Sequence, residues 1–293
     1  MTRAGIVAVV GLPNAGKSTL LNRLVQQKLA ITSSKPQSTR DRVVGIITDD
    51  ACQMVVVDTP GLLDPSYSLQ RAMRGLALEA LFEADVIVHL ADASRGPSPS
   101  LADVGRLDRV PRGQILTVYN KADVLSDAER QALAVATPNA IFVSAATGEG
   151  VATLVARVQA CLPESPFLYS ADDASTQSVR FFVTEIVREV AFDLLEEELP
   201  YAVACEIEEF REDRQPVYIR AVLYVERESQ KRIVIGLKGA KIRDIGREAR
   251  VKVESLLEQP VYLDLWVKVL QNWRRNPHML KRLGYVVPEE PES

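Results

Sequence analysis

Cysteine is scarce in this 293-residue chain: Cys52, Cys161 and Cys205 stand far apart, with no CxxC spacing and only two histidines to help them. Neither a disulfide framework nor a zinc site is therefore expected. No run approaches the roughly 18 consecutive apolar residues a membrane span needs. The opening Met-Thr-Arg-Ala-Gly-Ile-Val leads into a short strand-like segment without a signal-peptide core. The expectation is a soluble, cytoplasmic protein. No internal repeat is visible, and 47% apolar with 25% charged residues excludes a disordered or low-complexity chain. What remains is a globular chain long enough for two domains, or one large and one small.

The net charge of −4 hides an asymmetry. Residues 230–285 carry 13 Lys/Arg against 5 acids, a local +8, which leaves 22 of the 35 bases and 34 of the 39 acids, −12, elsewhere. A C-terminal part that meets a polyanion would account for this, as would a merely solvated surface.

Short apolar runs of strand length recur at residues 6–10, 54–57, 86–90, 115–119 and 141–143, separated mostly by segments with helical spacing such as Leu20, Leu21, Leu24 and Leu154, Val155, Val158. Continuous apolar strands alternating with amphipathic helices predict a parallel sheet covered on both faces. Residues 43–48 and 53–57, joined by Asp49-Asp50, predict an antiparallel hairpin at its edge. The stretch Leu162-Pro163-Glu164-Ser165-Pro166 and the polar residues to Ser178 break this pattern. The expected division is a first domain at 1–165, a linker at 166–178, a second domain at 179–288 and a disordered tail at 289–293. In the second domain the predicted order is a helix (180–197), strands (201–209 and 217–226), a Gly-punctuated helical pair (231–257) and a strand (262–269). That α-β-β-α-α-β order makes an α+β domain with a three-stranded sheet.

After the first strand, GLPNAGKST at 11–19 satisfies G-x-x-x-x-G-K-[ST] in its strand-then-helix setting. Gly11 and Gly16 let the backbone curl so that successive N–H groups, those of Ala15, Gly16, Lys17, Ser18 and Thr19 among them, converge on phosphate oxygens at a positive helix N-terminus. Lys17 would reach the β- and γ-phosphates and the Ser18 hydroxyl would ligate Mg2+. Asp58-Thr59-Pro60-Gly61 closes a second strand, where ligands bind in such sheets. Asp58 can hold the metal directly or through water, and the Gly61 N–H can meet the γ-phosphate. Asn120-Lys121-Ala122-Asp123 follows a later strand. The Asp123 carboxylate accepts from the ring N–H and exocyclic amine of guanine, a donor pair adenine lacks, while Asn120 and the Lys121 stem support the ring. Ser144-Ala145-Ala146 follows the next strand and can supply a backbone N–H to the guanine carbonyl.

These segments, in this order, resemble the five sequence boxes of the translation-factor-related family of small GTPases. Gln37-Ser38-Thr39-Arg40 would then be the second box, with Thr39 the candidate for a further Mg2+ hydroxyl and Ser38 the runner-up. Familiar GTPases orient the attacking water with a Gln just after Asp-x-x-Gly; here that position is Leu62, followed by Leu63, and His89 reads as a packed strand residue. The resemblance implies a substitute: GTPases with an apolar residue there and an Asn in the phosphate loop use K+. Asn14 matches that Asn. The expected catalytic set is thus Asn14, Lys17, Thr39 and Gly61, with water ordered by switch I (about 33–42) and switch II (about 61–79).

In the second domain, Gly236-Leu237-Lys238-Gly239 lies between helical segments, followed by Ala240, Lys241, Arg243 and Arg247. Ile242, Ile245, Ala249, Val253, Leu256 and Leu257 mark a buried helix face that leaves Arg247, Arg250 and Lys252 free. Together with the +8 charge this resembles a type II KH domain, whose GxxG backbone approaches nucleic-acid phosphates while a groove accepts unstacked bases. The implied RNA contacts run from Ile235 through Gly236, Leu237, Lys238, Gly239, Ala240 and Lys241 to Arg243 and Arg247. A G domain followed by VIGLKGAKIRDIG is similar over essentially the whole chain to the Era family of bacterial GTPases. That resemblance implies a protein that hydrolyses GTP, binds the 3′ end of small-subunit ribosomal RNA, assists small-subunit assembly and contacts the inner face of the cell membrane peripherally; a monomer is expected, although the sequence itself leaves the oligomeric state open. Leu12 and the basic tail around Trp273 depart from the family pattern; Trp273 is read either as a base-stacking residue or as a core anchor. Two rivals stand beside this reading. A tRNA-modification GTPase would need a large helical domain and a C-terminal catalytic cysteine, and a GTP-holding module with negligible turnover would suit Leu62.

Overall fold

The computed structural model describes residues 1–288, so the expected disordered tail at 289–293 lies outside the described residues. The chain divides into two compact units, residues 1–65 with 73–176, and residues 66–72 with those from 177 onward.

The first unit runs β1 (Arg3–Val10), α1 (Lys17–Val25), β2 (Val43–Thr48), β3 (Cys52–Asp58), α2 (Ser68–Glu83, its first turn within 66–72), β4 (Val86–Asp92), α3 (Leu101–Gly105), β5 (Gln114–Asn120), α4 (Asp127–Ala136), β6 (Ile141–Phe142) and α5 (Val151–Cys161). Its six-stranded sheet has the order β2-β3-β1-β4-β5-β6, with β2 antiparallel to β3 and all other pairs parallel. All seven residues of β3 are buried, as are six of the seven in β4. Covering both faces is what makes such strands read as unbroken apolar runs. Since β1, β3 and β5 are parallel, their C-terminal ends share one rim of the sheet, and the loops that carry the motifs leave from it.

Residues 166–175, read as linker, are bound to this unit. Leu168 and Tyr169 N–H donate to Gln53 Oε1 at 2.8 and 2.9 Å, and Gln53 Nε2 donates back to the Tyr169 carbonyl at 3.0 Å. Ile46 N–H donates to the Ala174 carbonyl at 2.9 Å. A buried amide inside an apolar strand needs partners, and the strap supplies them while covering the open edge of β2.

The second unit runs α6 (Val179–Leu194), α7 (Leu199–Ala202), β7 (Ala204–Arg211), β8 (Val217–Val225), α8 (Glu228–Ile235), α9 (Ala240–Leu257), β9 (Val261–Val269) and α10 (Pro277–Arg282). β7 pairs antiparallel and β9 parallel with β8. The anticipated α-β-β-α-α-β order is present with shifted ends, and two short helices are added to it, α7 before β7 and α10 after β9. α6 stops at Leu194 rather than Glu197, because Leu195 turns extended to bury its side chain. Tyr201 falls in the short α7 rather than in a strand, with Pro200 in that helix's first turn. Ile245, Ala249 and Val253 of α9 are fully buried against Val183, Val187 and Val190 of α6, whereas Leu256, assigned to the same face, is 39% exposed. Lys252 is not free: its Nζ donates to the buried Glu189 at 3.0 Å. Trp273 is fully buried and its Nε1 donates to the Ala202 carbonyl at 2.9 Å, which makes it a core anchor.

Candidate nucleotide site and nucleic-acid interface

The loop at 11–19 is shaped by close approaches. A Cβ at Gly11 would lie 2.2 Å from the Leu90 carbonyl oxygen, and one at Gly16 (φ 92) would lie 2.1 Å from Asn120 Nδ2. Only glycine leaves room at both places. α1 opens with Lys17, whose buried Nζ meets the carbonyl oxygens of Leu12 at 3.1 Å and Gly11 at 3.4 Å. Burial lowers its pKa, opposed by the Asp58 carboxylate. An ammonium taken out of water with carbonyls for company is prepared for an anion.

Beside it, Ser18 Oγ donates to Asp58 Oδ2 at 2.6 Å and stands 2.9 Å from Thr39 Oγ1. Thr39, rather than Ser38, turns its hydroxyl to this cluster, 3.5 Å from Asp58 Oδ2. Asp58 is fully buried, and its Oδ1 has no hydrogen-bond partner. Burial pushes its pKa up to about 6, against Lys17 and the hydrogen bonds from Ser18, Thr39 and the Thr59 backbone. Two hydroxyls with one orphaned carboxylate oxygen fit Mg2+, which takes few protein ligands and completes its shell with water and substrate phosphate. Among the described residues no group of three or more His, Cys, Asp or Glu comes together to suit another metal.

Asn14 (φ 63) donates from Nδ2 to the Ser34 carbonyl at 3.0 Å, which ties the phosphate loop to switch I. Leu62 is fully buried among Ala8, Val10 and Leu81, and its N–H donates to the Gly11 carbonyl at 2.9 Å. It therefore offers no side chain to the reaction. Gly61 passes Pro13 so closely that a Cβ would sit 2.8 Å from it. Asn22, which the sequence reading passed over, holds the entrance to switch I: its Oδ1 accepts from Leu29 and Ala30 N–H at 2.9 and 2.8 Å. An Asn within an amphipathic helix was the available signal.

On the base side, Asn120 Nδ2 donates to the Ala15 carbonyl at 2.8 Å, and its Oδ1 accepts from the Ala145 N–H at 2.9 Å. One side chain thus knits the phosphate loop to the loop after β6. Lys121 (φ 66) donates from Nζ to Asp92 Oδ2 at 2.6 Å. Burial pushes the Asp92 pKa up, but the hydrogen bonds from Lys121 and Ser94 outweigh it and hold it below the ordinary carboxylate range. Asp92, at the end of β4, was also missed. Asp123 is exposed in the turn after β5, Ser144 is buried, and Thr19 lines the phosphate cleft with Gly16 and Lys17. His89 is buried within β4, and burial lowers its pKa.

In the second unit, Gly236 (φ 75) packs so tightly that a Cβ would lie 2.7 Å from Lys241 Cβ, while around Gly239 (φ 75) there is open space. Leu237 is 85% exposed, and Lys238, Ala240, Arg243 and Arg247 are exposed with it. Arg247 pairs with Asp244 at 3.0 Å. Lys241 Nζ instead reaches the Leu194 carbonyl at 3.3 Å, at the end of α6, and Ile235 packs on the core.

Residues 6–121 match the family described as 50S ribosome-binding GTPase, and residues 198–274 match the KH domain family. GTPase Era of Azotobacter vinelandii is 43% identical over 291 residues, 97% of each chain. GTPase Era of Carboxydothermus hydrogenoformans is 38% identical over 291 residues, 97% of this chain and 98% of that one. Among solved structures, an Era variant of Aquifex aeolicus bound to GDP and AlF4− superposes with a TM-score of 0.90 at 36% identity, covering 97% of this chain and all of the other. Era in complex with MgGDPNP and nucleotides 1506–1542 of 16S ribosomal RNA gives 0.89 at 35% identity, covering 98% of this chain and all of that one. Among the described residues no helix is long and apolar enough to cross a membrane. Identity at this level reaches beyond the phosphate loop to the full order of G domain then KH domain, and on that ground the chain belongs to the Era family of GTPases.

Proposed function

We propose that this chain is a GTP-hydrolysing molecular switch that requires Mg2+, binds the 3′ end of small-subunit ribosomal RNA through its KH unit and assists assembly of the small ribosomal subunit. The observation that carries the reading is the convergence of Ser18, Thr39 and the orphaned Asp58 oxygen beside Lys17. Ser18 and Asp58 sit on regular elements, whereas Thr39 belongs to a loop. Whatever holds Thr39 at this cluster also orders switch I, which is how a γ-phosphate is sensed.

In this reading the N–H groups of residues 15–19 and Lys17 hold the β- and γ-phosphates, the Gly61 N–H meets the γ-phosphate, and Asp123 reads guanine with Asn120, Lys121 and the 144–146 loop around the ring. Mg2+, when bound by Ser18, Thr39 and Asp58, neutralises charge on the phosphate oxygens. With Leu62 buried, the residue after Gly61 offers no side-chain base to the attacking water. Positioning by the switch I and switch II backbones is left, and phosphoryl transfer depends mostly on positioning and charge neutralisation. Asn14, bonded to the Ser34 carbonyl, is the residue through which K+ would assist. The KH loop, Gly236 to Gly239 with Arg243 and Arg247, meets RNA phosphates. The protein works in the cytoplasm as a monomer; peripheral membrane contact rests on family resemblance alone.

Single-turnover GTP hydrolysis, in K+ and in Na+, with and without an oligonucleotide of the ribosomal RNA 3′ end, tests the whole. Faster turnover in K+ and with RNA is expected, and Asn14→Ala should erase the K+ response. Turnover at the uncatalysed rate in all four conditions would instead leave a module that only holds GTP.

A further inference from the structure

We infer that Arg23, in the last turn of α1, is a positioning residue that aims the Ala146 N–H at the 6-oxo group of guanine and so sets how strongly that atom is read. The inference rests on the guanine reading above. Between Ser144 and Glu149 nearly every N–H is already engaged. Ser144 N–H donates to the Glu149 carbonyl at 2.9 Å, Ala145 N–H to Asn120 Oδ1 at 2.9 Å and Thr147 N–H to Ser144 Oγ at 3.1 Å. Gly148 N–H donates to the Ser144 carbonyl at 2.8 Å, and Glu149 N–H to Thr147 Oγ1 at 3.3 Å. Among the described residues the Ala146 N–H alone in this run meets no acceptor.

The direction of that N–H is set from behind. Arg23 Nε donates to the Ala145 carbonyl at 3.0 Å, and Arg23 Nη2 donates to the Ala146 carbonyl. In a trans peptide the carbonyl of one residue and the N–H of the next lie in one plane and point opposite ways. Fixing the Ala145 carbonyl on the guanidinium therefore turns the Ala146 N–H away from Arg23. The next plane is held at both ends, by Arg23 on the Ala146 carbonyl and by Ser144 on the Thr147 N–H. The planar fork of an arginine fixes two adjacent carbonyls in one set orientation, whereas an ammonium on a flexible stem is a rotatable point charge that sets no such plane. Arg23 sits on the same helix that opens with Lys17, so the helix that meets the phosphates also braces the loop that meets the base.

The readout is the ratio of dissociation constants for 6-thio-GDP and GDP. The two share the ring N–H and amine that Asp123 accepts and differ only in the acceptor at position 6. Wild type should prefer GDP to 6-thio-GDP and strongly prefer both to ADP. Arg23→Met should weaken GDP binding by about five- to tenfold, the worth of roughly one hydrogen bond, and bring the ratio toward one. Preference over ADP should survive. Arg23→Lys, which keeps the charge and loses the rigid fork, should fall between and stands in if Arg23→Met does not fold. A wild-type ratio near one, or a ratio unmoved in the variants, overturns the inference. Equal weakening of both nucleotides would mean that Arg23 only stabilises the fold, and also overturns it. Wild type that binds ADP as well as GDP would remove the guanine reading itself, a separate outcome.

Discussion

Asp58 shows how a single side chain is held against its own preference. Its carboxyl is fully buried with one oxygen unpartnered, and burial raises its pKa from 3.8 to about 6. A folded-state pKa above the unfolded one means the native protein binds the extra proton between those values. Stability from this group is therefore present below about pH 4, declines as pH rises through the window, and is lost above about pH 6. In the nucleotide-free protein Asp58→Asn should then be more stable than wild type at pH 7, on the order of 2 kcal/mol, with the gap closing toward pH 4. Denaturant unfolding at several pH values checks this, and an equal gap at pH 4 and pH 7 would refute it. The same variant should lose Mg2+-dependent GTP affinity, the familiar trade of stability for function. At this scale Lys17, Ser18 and Asp58 were legible because each sits in a motif whose chemistry is local. Asn22, Arg23 and Asp92 were not. Their partners are backbone groups or a lysine far along the chain, and no spacing rule connects them.

Secondary-structure elements were read well in kind and less well in extent. β3 and β4 were visible as apolar runs because both their faces are covered, and β9 because Val261, Leu263, Leu265 and Val267 alternate with exposed Tyr262 and Trp266. The ends were set by tertiary demands: Leu195 left α6 early to be buried, and a bulge between Ile207 and Glu209 carried β7 on to Arg211. The strap at 166–175 looked like a linker because its Pro and Ser composition says turn, while its bonding depends on Gln53 in a distant strand. The helix-loop-helix of the KH unit gives an element-scale test. Gly236 and Gly239 share φ 75, but a Cβ at Gly236 would collide with Lys241, whereas at Gly239 it meets nothing within 4 Å. Alanine at Gly239 (ψ 19) carries left-handed strain of about 1 kcal/mol, whereas Gly236 (ψ 173) lies in a region essentially confined to glycine, with strain of about 1–3 kcal/mol. Gly236→Ala should add a packing cost of another 1–3 kcal/mol and lower the melting temperature clearly more than Gly239→Ala. Equal melting temperatures would show that the α8–α9 junction yields freely.

For the whole molecule the question is how much of the +8 charge at 230–285 is available to RNA. Lys252, Lys268, Arg274 and Arg282 pair with Glu189, Glu208, Glu226 and Glu206, all outside that segment. Much of the excess is thus spent within the unit, and Lys231, Arg232, Lys238 and Arg243 remain around the GxxG loop. If about four phosphates are neutralised, log Kd for the single-stranded 3′-end RNA should change with log salt with a slope near 3 in magnitude. Fluorescence anisotropy from about 50 to 200 mM KCl measures it; a slope of 8 or more would mean the internal pairs open on binding. Reading the sequence by itself determined that this is a phosphate-binding α/β unit followed by an α+β unit, since strand periodicity and loop motifs are short-range properties written within a few residues of one another. Which hydroxyl reaches Asp58, that Lys252 and Trp273 serve the core, and which arginine braces the loop after β6 were decided only in three dimensions, because each depends on groups tens of residues apart that packing alone brings within a few ångströms.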